Sequence, residues 1–137
     1  MCVANSARSQ MAEGLARKIL GEKAEIHSAG SEPKKVNPHA VQALREVGID
    51  ISTHYSKGMD DLDPRFVVGL DYIVTLCAEE VCPVVVSRAA EKLHWPFPDP
   101  AGPGWETMSR EEVNAKFRTV RDQIEARINL FAKEKSL

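Results

Sequence analysis

The chain has 137 residues, 43% of them hydrophobic and 28% charged, with a formal net charge of −2 at pH 7. That is the size and composition of one folded domain with a core, so a single domain over residues 1–137 is expected. The charge balance excludes a global basic field for nucleic acid, and no apolar run is long enough to span a membrane. Met1-Cys2-Val3-Ala4-Asn5 has neither the charged nor the apolar region of a leader, so a cytoplasmic monomer is expected. The three cysteines are too few and too unevenly placed for a disulfide framework.

The elements follow in chain order. A first helix is predicted from Ser9 to Leu20, because Met11, Leu15 and Ile19 recur every four residues and Gly21 follows as a stop. Ala24 to Ser28 reads as a short strand before the Ala29-Gly30 turn. Asn37 and Pro38 punctuate the start of a second helix, with Val41, Leu44 and Val47 as its buried face and Gly48 as its end. Ile49 and Ile51 suggest a brief extended segment, and Asp63-Pro64 opens a short helix through Phe66 and Val67. Leu70 to Leu76 is a buried strand by its β-branched content, and Lys92 to Phe97 a shorter one. Ser109 and Glu112 form a capping box ahead of the last helix, whose apolar face is Val113, Phe117, Val120, Ile124, Ile128 and Phe131. Alternating strand and helix predict an α/β fold with a small parallel sheet flanked by helices in three layers.

Three constellations carry chemistry. In the first, Cys2 and Arg8 bracket the small-residue loop Val3, Ala4, Asn5, Ser6 and Ala7, and Ser9 opens the helix. Such a loop can turn its N–H groups onto one oxyanion at a helix N-terminus, while Arg8 grips two oxygens with its planar fork. The same positive field favours the thiolate form of Cys2, and Ser9 can donate to it. Spacing of this kind also arises by chance. In the second, Cys77 directly follows a strand and Cys82 lies five positions on. Buried structural cysteines, or a zinc site with His94 or His54, compete with a redox pair there. In the third, Asp99 sits in the proline-rich run His94-Trp95-Pro96-Phe97-Pro98-Asp99-Pro100, where it can protonate a leaving oxygen or simply begin a turn. His94 and Trp95 are expected to pack under that loop.

The run Cys2-Val-Ala-Asn5-Ser6-Ala-Arg8-Ser9-Gln10-Met11-Ala12-Glu13-Gly14 resembles the anion loop of low-molecular-weight tyrosine phosphatases. It resembles still more their relatives, the thioredoxin-coupled arsenate reductases. Ser28-Ala29-Gly30, Gly48-Ile49-Asp50-Ile51-Ser52 and Asp71-Tyr72 resemble the same family, over nearly the whole chain. The resemblance implies that Cys2 attacks arsenate, that Cys77 then displaces arsenite as a Cys2–Cys77 disulfide, and that Cys82 carries the oxidation onward for thioredoxin to reduce. It implies Asp99 as the proton donor, no tightly bound cofactor, and a monovalent cation, potassium, at Asn5 and Ser28. The relay cysteines stand closer together here than in those reductases. The family's tyrosine phosphatases place an aromatic residue after the Asp-Pro, whereas Ala101-Gly102 stands here, which suits a small inorganic oxyanion. Two alternatives remain: a phosphatase on phosphate esters, which needs Cys2, Arg8 and Asp99 alone, and a non-catalytic thiol module for arsenite, metal or redox sensing, which needs only Cys77 and Cys82. The family carries an apolar strand just before the loop cysteine. Here Met1 alone precedes Cys2, so the first strand is expected to be missing or truncated, and Cys2 to fray.

Overall fold

The computed structural model describes residues 1–77 and 90–137. Helix α1 spans Arg8–Leu20, α2 Pro38–Arg45, α3 Pro64–Val68 and α4 Arg110–Glu134; strands β1 (Tyr72–Thr75) and β2 (Glu91–His94) pair in parallel, Tyr72 opposite Glu91 and Thr75 opposite His94. The caps act as the sequence proposes. Asn37 accepts from the His39 N–H at 2.9 Å, Asp63 from the Arg65 N–H at 2.9 Å, and Ser109 from the Glu112 N–H at 3.1 Å.

Helix α4 packs against α1 and α2. All six residues of its predicted face are buried, Phe117 and Ile124 completely. They join Met11 and Leu15 of α1, Ala40, Ala43 and Leu44 of α2, and Ile51 in one core. Phe131 sets the helix against the sheet through edge contacts with Tyr72 of β1, at 5.0 Å between ring centres, and with Trp95 just past β2, at 5.5 Å.

Beyond β1 the sheet continues through single residues. The Met1 amino group donates to the Val74 carbonyl, and the Leu76 N–H donates to the Met1 carbonyl at 2.8 Å. Cys2 then bridges Gly30 in parallel, and Gly30 bridges Gly58. The order across the sheet is therefore β2, β1, Met1-Cys2, Gly30, Gly58. The expected fraying of Cys2 is not what the structure shows: Cys2 is 3% exposed and held in the sheet. The Met1-Cys2 segment is bonded on one side to β1 and bridged on the other to Gly30.

The strand expected over Ala24–Ser28 does not form; the bridges to Cys2 and Gly58 fall at Gly30 instead. Residues 49–51 form no strand either, and Ile51 is buried as a loop residue in the core. Both regular strands are shorter than their apolar runs. Trp95 is buried with its ring against Phe131, whereas His94, expected to pack under the Asp99 loop, is exposed and bonds Thr75 Oγ1 at 2.8 Å.

Gly30 is required by close approach. A Cβ there would lie 2.4 Å from the Val3 carbonyl oxygen and 2.8 Å from the Asn5 nitrogen, both backbone atoms. Gly30→Ala should therefore cost about 1–3 kcal/mol of stability in urea unfolding, while the more open Gly69→Ala should stay within about 0.5 kcal/mol. Equal losses at the two positions would contradict this account of the Cys2–Gly30 contact.

Candidate active site

The site lies where β1 and the Met1-Cys2 segment end, the edge of a parallel sheet that faces helix N-termini. The loop after Cys2 is held from outside. The Val3 carbonyl accepts from Glu32 N–H at 2.9 Å, Ala4 from Lys34 N–H at 2.9 Å, and Ser6 from Asn37 N–H at 3.0 Å. The Asn5 carbonyl accepts from Ser56 Oγ at 2.7 Å and Gln10 Nε2 at 3.1 Å. Among the described residues no peptide bond is cis. In a trans peptide the next N–H points opposite the carbonyl. Four outward carbonyls thus turn the amides of Ala4, Asn5, Ser6 and Ala7 toward the loop's interior. Ala7, the N-cap of α1, has no side chain to cap the first turn, whose positive end faces the same space. Backbone N–H groups turned inward in this way can cradle an anion.

Asn5 is its hub. It is fully buried, with φ of +47°, a conformation Asn tolerates better than most residues. The orientation of its amide follows from its partners. Gln10 Nε2 faces the Asn5 and Tyr55 carbonyls, both at 3.1 Å, so it must be the amide's nitrogen. That nitrogen and the Lys57 N–H both meet Asn5 Oδ1, at 2.9 and 3.0 Å. Asn5 Nδ2 consequently donates to Ser9 Oγ at 2.7 Å and to Ser28 Oγ at 3.0 Å. Ser9 Oγ lies 2.9 Å from Cys2 Sγ. With Cys2 ionised, the hydrogen between them is Ser9's, and the sulfur meets a donor held from behind.

Arg8 is 5% exposed and crosses the sheet edge. Its Nη1 donates to the Phe97 carbonyl at 3.0 Å and lies 3.5 Å from that of Leu76, and its Nη2 is 3.9 Å from Asp99 Oδ2. Asp99 Oδ1 accepts from the Ala101 N–H at 2.9 Å in a turn, while Oδ2 faces Arg8. Cys77 is 1% exposed and follows Leu76, whose N–H bonds the Met1 carbonyl, and Cys2 follows Met1. The two cysteines therefore leave neighbouring parallel segments at the same end. Cys82 lies outside the described residues.

The structure thus gathers Cys2, the 3–9 loop, Arg8 and Asp99, brings Cys77 to the same edge, and bonds Asn5 to Ser28. A second layer was not singled out from sequence. Glu13, 5% exposed, accepts from Ser28 N–H and Ser28 Oγ, both at 2.8 Å, and from Lys57 Nζ at 3.3 Å. His54 Nδ1 and Arg17 Nε lie 3.3 and 3.4 Å from its other oxygen. A signal existed in part: Glu13 stands one helical turn after Ser9 and one before Arg17, so the three share a face of α1. Among the described residues no group of three or more His, Cys, Asp or Glu is placed to hold a metal ion, and no helix is long and apolar enough to cross a membrane.

The family described as low molecular weight phosphotyrosine protein phosphatase matches residues 1–137. The chain belongs to this family. It is 45% identical to arsenate reductase 1 of Staphylococcus epidermidis over 134 residues, covering 96% of this chain and 92% of that protein. Among solved structures it resembles an arsenate reductase in the phosphate binding state, with 34% identity and a TM-score of 0.73 over 96% of this chain and 93% of that one. It also resembles the Corynebacterium glutamicum thioredoxin-dependent arsenate reductase, with 27% identity and a TM-score of 0.70 over 97% of this chain and 58% of that one.

The Glu13 cluster gives the fold a defined response to acid. Burial pushes the Glu13 carboxyl up, but the Ser28 hydrogen bond and the charges of Lys57, His54 and Arg17 outweigh it and leave it below 4.5. Burial of His54, only partly offset by Glu13, holds the imidazole below 6.5. Both groups are depressed in the fold, so each contributes stability that is present above its ordinary value and lost as pH falls through the folded one. Urea midpoints should decline as pH drops from 6.5 and more steeply below 4.5. His54→Gln should flatten the upper part of that decline and Glu13→Gln the lower; variants that kept the wild-type slope would contradict the assignment.

Proposed function

We propose that this chain reduces arsenate to arsenite through a thiol relay recharged by thioredoxin. The observation that carries the reading is the placement of Cys2 and Cys77: two buried cysteines leave adjacent parallel segments at one edge, with the Arg8 guanidinium against the same edge. The names of the relatives point the same way, and one of the similar structures is of a thioredoxin-dependent enzyme.

In this reading arsenate sits in the 3–9 loop, held by the inward amides and by Arg8, which exchanges the Phe97 and Leu76 carbonyls for two arsenate oxygens. Cys2 Sγ, as thiolate with Ser9 as donor, attacks arsenic and an S–As bond forms. One arsenate hydroxyl leaves as water with a proton from Asp99. Cys77 then attacks Cys2 Sγ. The S–S bond forms, the S–As bond breaks, and its electron pair stays on arsenic, which goes from As(V) to As(III) while two cysteines are oxidised. Cys82 attacks the Cys77 sulfur, releasing Cys2 as thiolate and leaving a Cys77–Cys82 disulfide. The dithiol of thioredoxin reduces that disulfide.

The roles separate in a coupled assay of arsenate-dependent NADPH oxidation with thioredoxin and thioredoxin reductase, run beside hydrolysis of p-nitrophenyl phosphate. Cys77→Ser should abolish arsenate turnover and spare any ester hydrolysis, and Arg8→Ala should lower both by about 10²-fold or more. Arsenate turnover that survived Cys77→Ser would sink the relay. Efficient ester hydrolysis with no arsenate-dependent oxidation in the wild type would favour the phosphatase reading instead.

A further inference from the structure

A monovalent cation at Asn5 and Ser28 is what the family resemblance implies, and the residues there do not fit one. A cation needs oxygen lone pairs aimed at a common point. Asn5 turns its Nδ2 hydrogens, not its oxygen, toward Ser28, and its Oδ1 is already taken by Lys57 N–H and Gln10 Nε2. The Ser28 hydroxyl points its own hydrogen at Glu13 and receives one from Asn5. The remaining candidate, the Glu13 carboxylate, is met at one oxygen by the Lys57 ammonium at 3.3 Å and at the other by His54 and Arg17. Every neighbour of that carboxylate presents a hydrogen.

We propose that the Lys57 ammonium is a built-in counter-cation for buried Glu13, so that the loop's support is complete without potassium. The need for a counter-charge is physical: a carboxylate 5% exposed is costly unless it is paired and hydrogen-bonded. Lys57 is tethered for the task. Its N–H donates to Asn5 Oδ1 at 3.0 Å, and its carbonyl accepts from Gly30 N–H at 2.9 Å, so its backbone is part of the sheet edge beside the loop. Its side chain is 9% exposed. Through Glu13, Ser28 and Asn5 the ammonium fixes the donor that faces Cys2. Lys57 is thus a positioning residue, and a cation that must be bound from solution is replaced by one that is always present.

The test compares equal ionic strengths of potassium chloride and tetramethylammonium chloride, the organic cation being too large for the cluster. Wild-type Tm should be the same in both salts. Lys57→Met removes the ammonium and leaves the Glu13 carboxylate without it. Its Tm should fall in tetramethylammonium chloride and recover by roughly 5 °C in potassium chloride. Lys57→Arg, which keeps a fixed charge, should remain indifferent to the salt. A wild-type Tm that rose by roughly 5 °C in potassium would overturn the proposal, because potassium would then bind beside Lys57. So would a Lys57→Met variant with the wild-type Tm in both salts, or one equally lowered in both. If Lys57→Met does not fold in either salt, the wild-type and Lys57→Arg comparisons decide alone. Arsenate turnover, which rests on the proposed function, should follow the same pattern. Its absence from every variant and the wild type, with the Tm pattern intact, would count against the arsenate reading and leave Lys57 standing.

Discussion

The orientation of one buried amide, that of Asn5, fixes the geometry of everything around Cys2. Two carbonyls settle which end of Gln10 is nitrogen, Gln10 and the Lys57 backbone settle which end of Asn5 is oxygen, and Asn5 then leaves Ser9 with its hydrogen for the sulfur. The carbonyls of residues 3 to 6 complete the constraint by bonding outward, which turns the intervening amides inward. An oxyanion loop assembled this way has its donors in place before any anion arrives, the condition under which electrostatic stabilisation is most effective. Buried polar networks of this kind gain only when every member is satisfied. At this one each amide end and the Glu13 carboxylate have partners.

The elements that burial alone decides were legible in the sequence. The face of α4 from Val113 to Phe131 follows from its 3–4 spacing, and the proline-marked starts of α2 and α3 follow from the fixed geometry of proline at a helix start. The strands were less so. The apolar run from Leu70 to Leu76 is seven residues, yet only Tyr72–Thr75 forms a ladder, because a strand extends only as far as its neighbours offer partners. Met1 and Cys2 carry no strand signal of their own, yet bonds to β1 and the bridge to Gly30 hold them in the sheet.

The site divides in the same way. Cys2, Arg8, Ser9 and Asp99 are marked by residue type and order along the chain. The residues behind them carry no such mark. His54, Ser56 and Lys57 lie in a loop without periodicity and reach Asn5, Gln10 and Glu13 from more than 40 positions away. The strap from Glu32 to Asn37 that holds the loop carbonyls reads as an ordinary polar connection. Such contacts are made by topology, so a sequence discloses the reacting groups more readily than the groups that aim them. The cation expected at Asn5 and Ser28 illustrates the consequence: both residues are marked in the sequence, whereas the Lys57 ammonium 3.3 Å from Glu13 is not.

The reading proposed for this chain is that Cys2 and Cys77 act as one redox pair at the sheet edge. It is tested most directly by treating a fully reduced Cys82→Ser variant with one equivalent of arsenate and mapping its peptides by mass spectrometry. A Cys2–Cys77 disulfide and free arsenite should appear in equal amounts. Arsenite release with both cysteines still reduced, or arsenate left unchanged by the reduced protein, would contradict it.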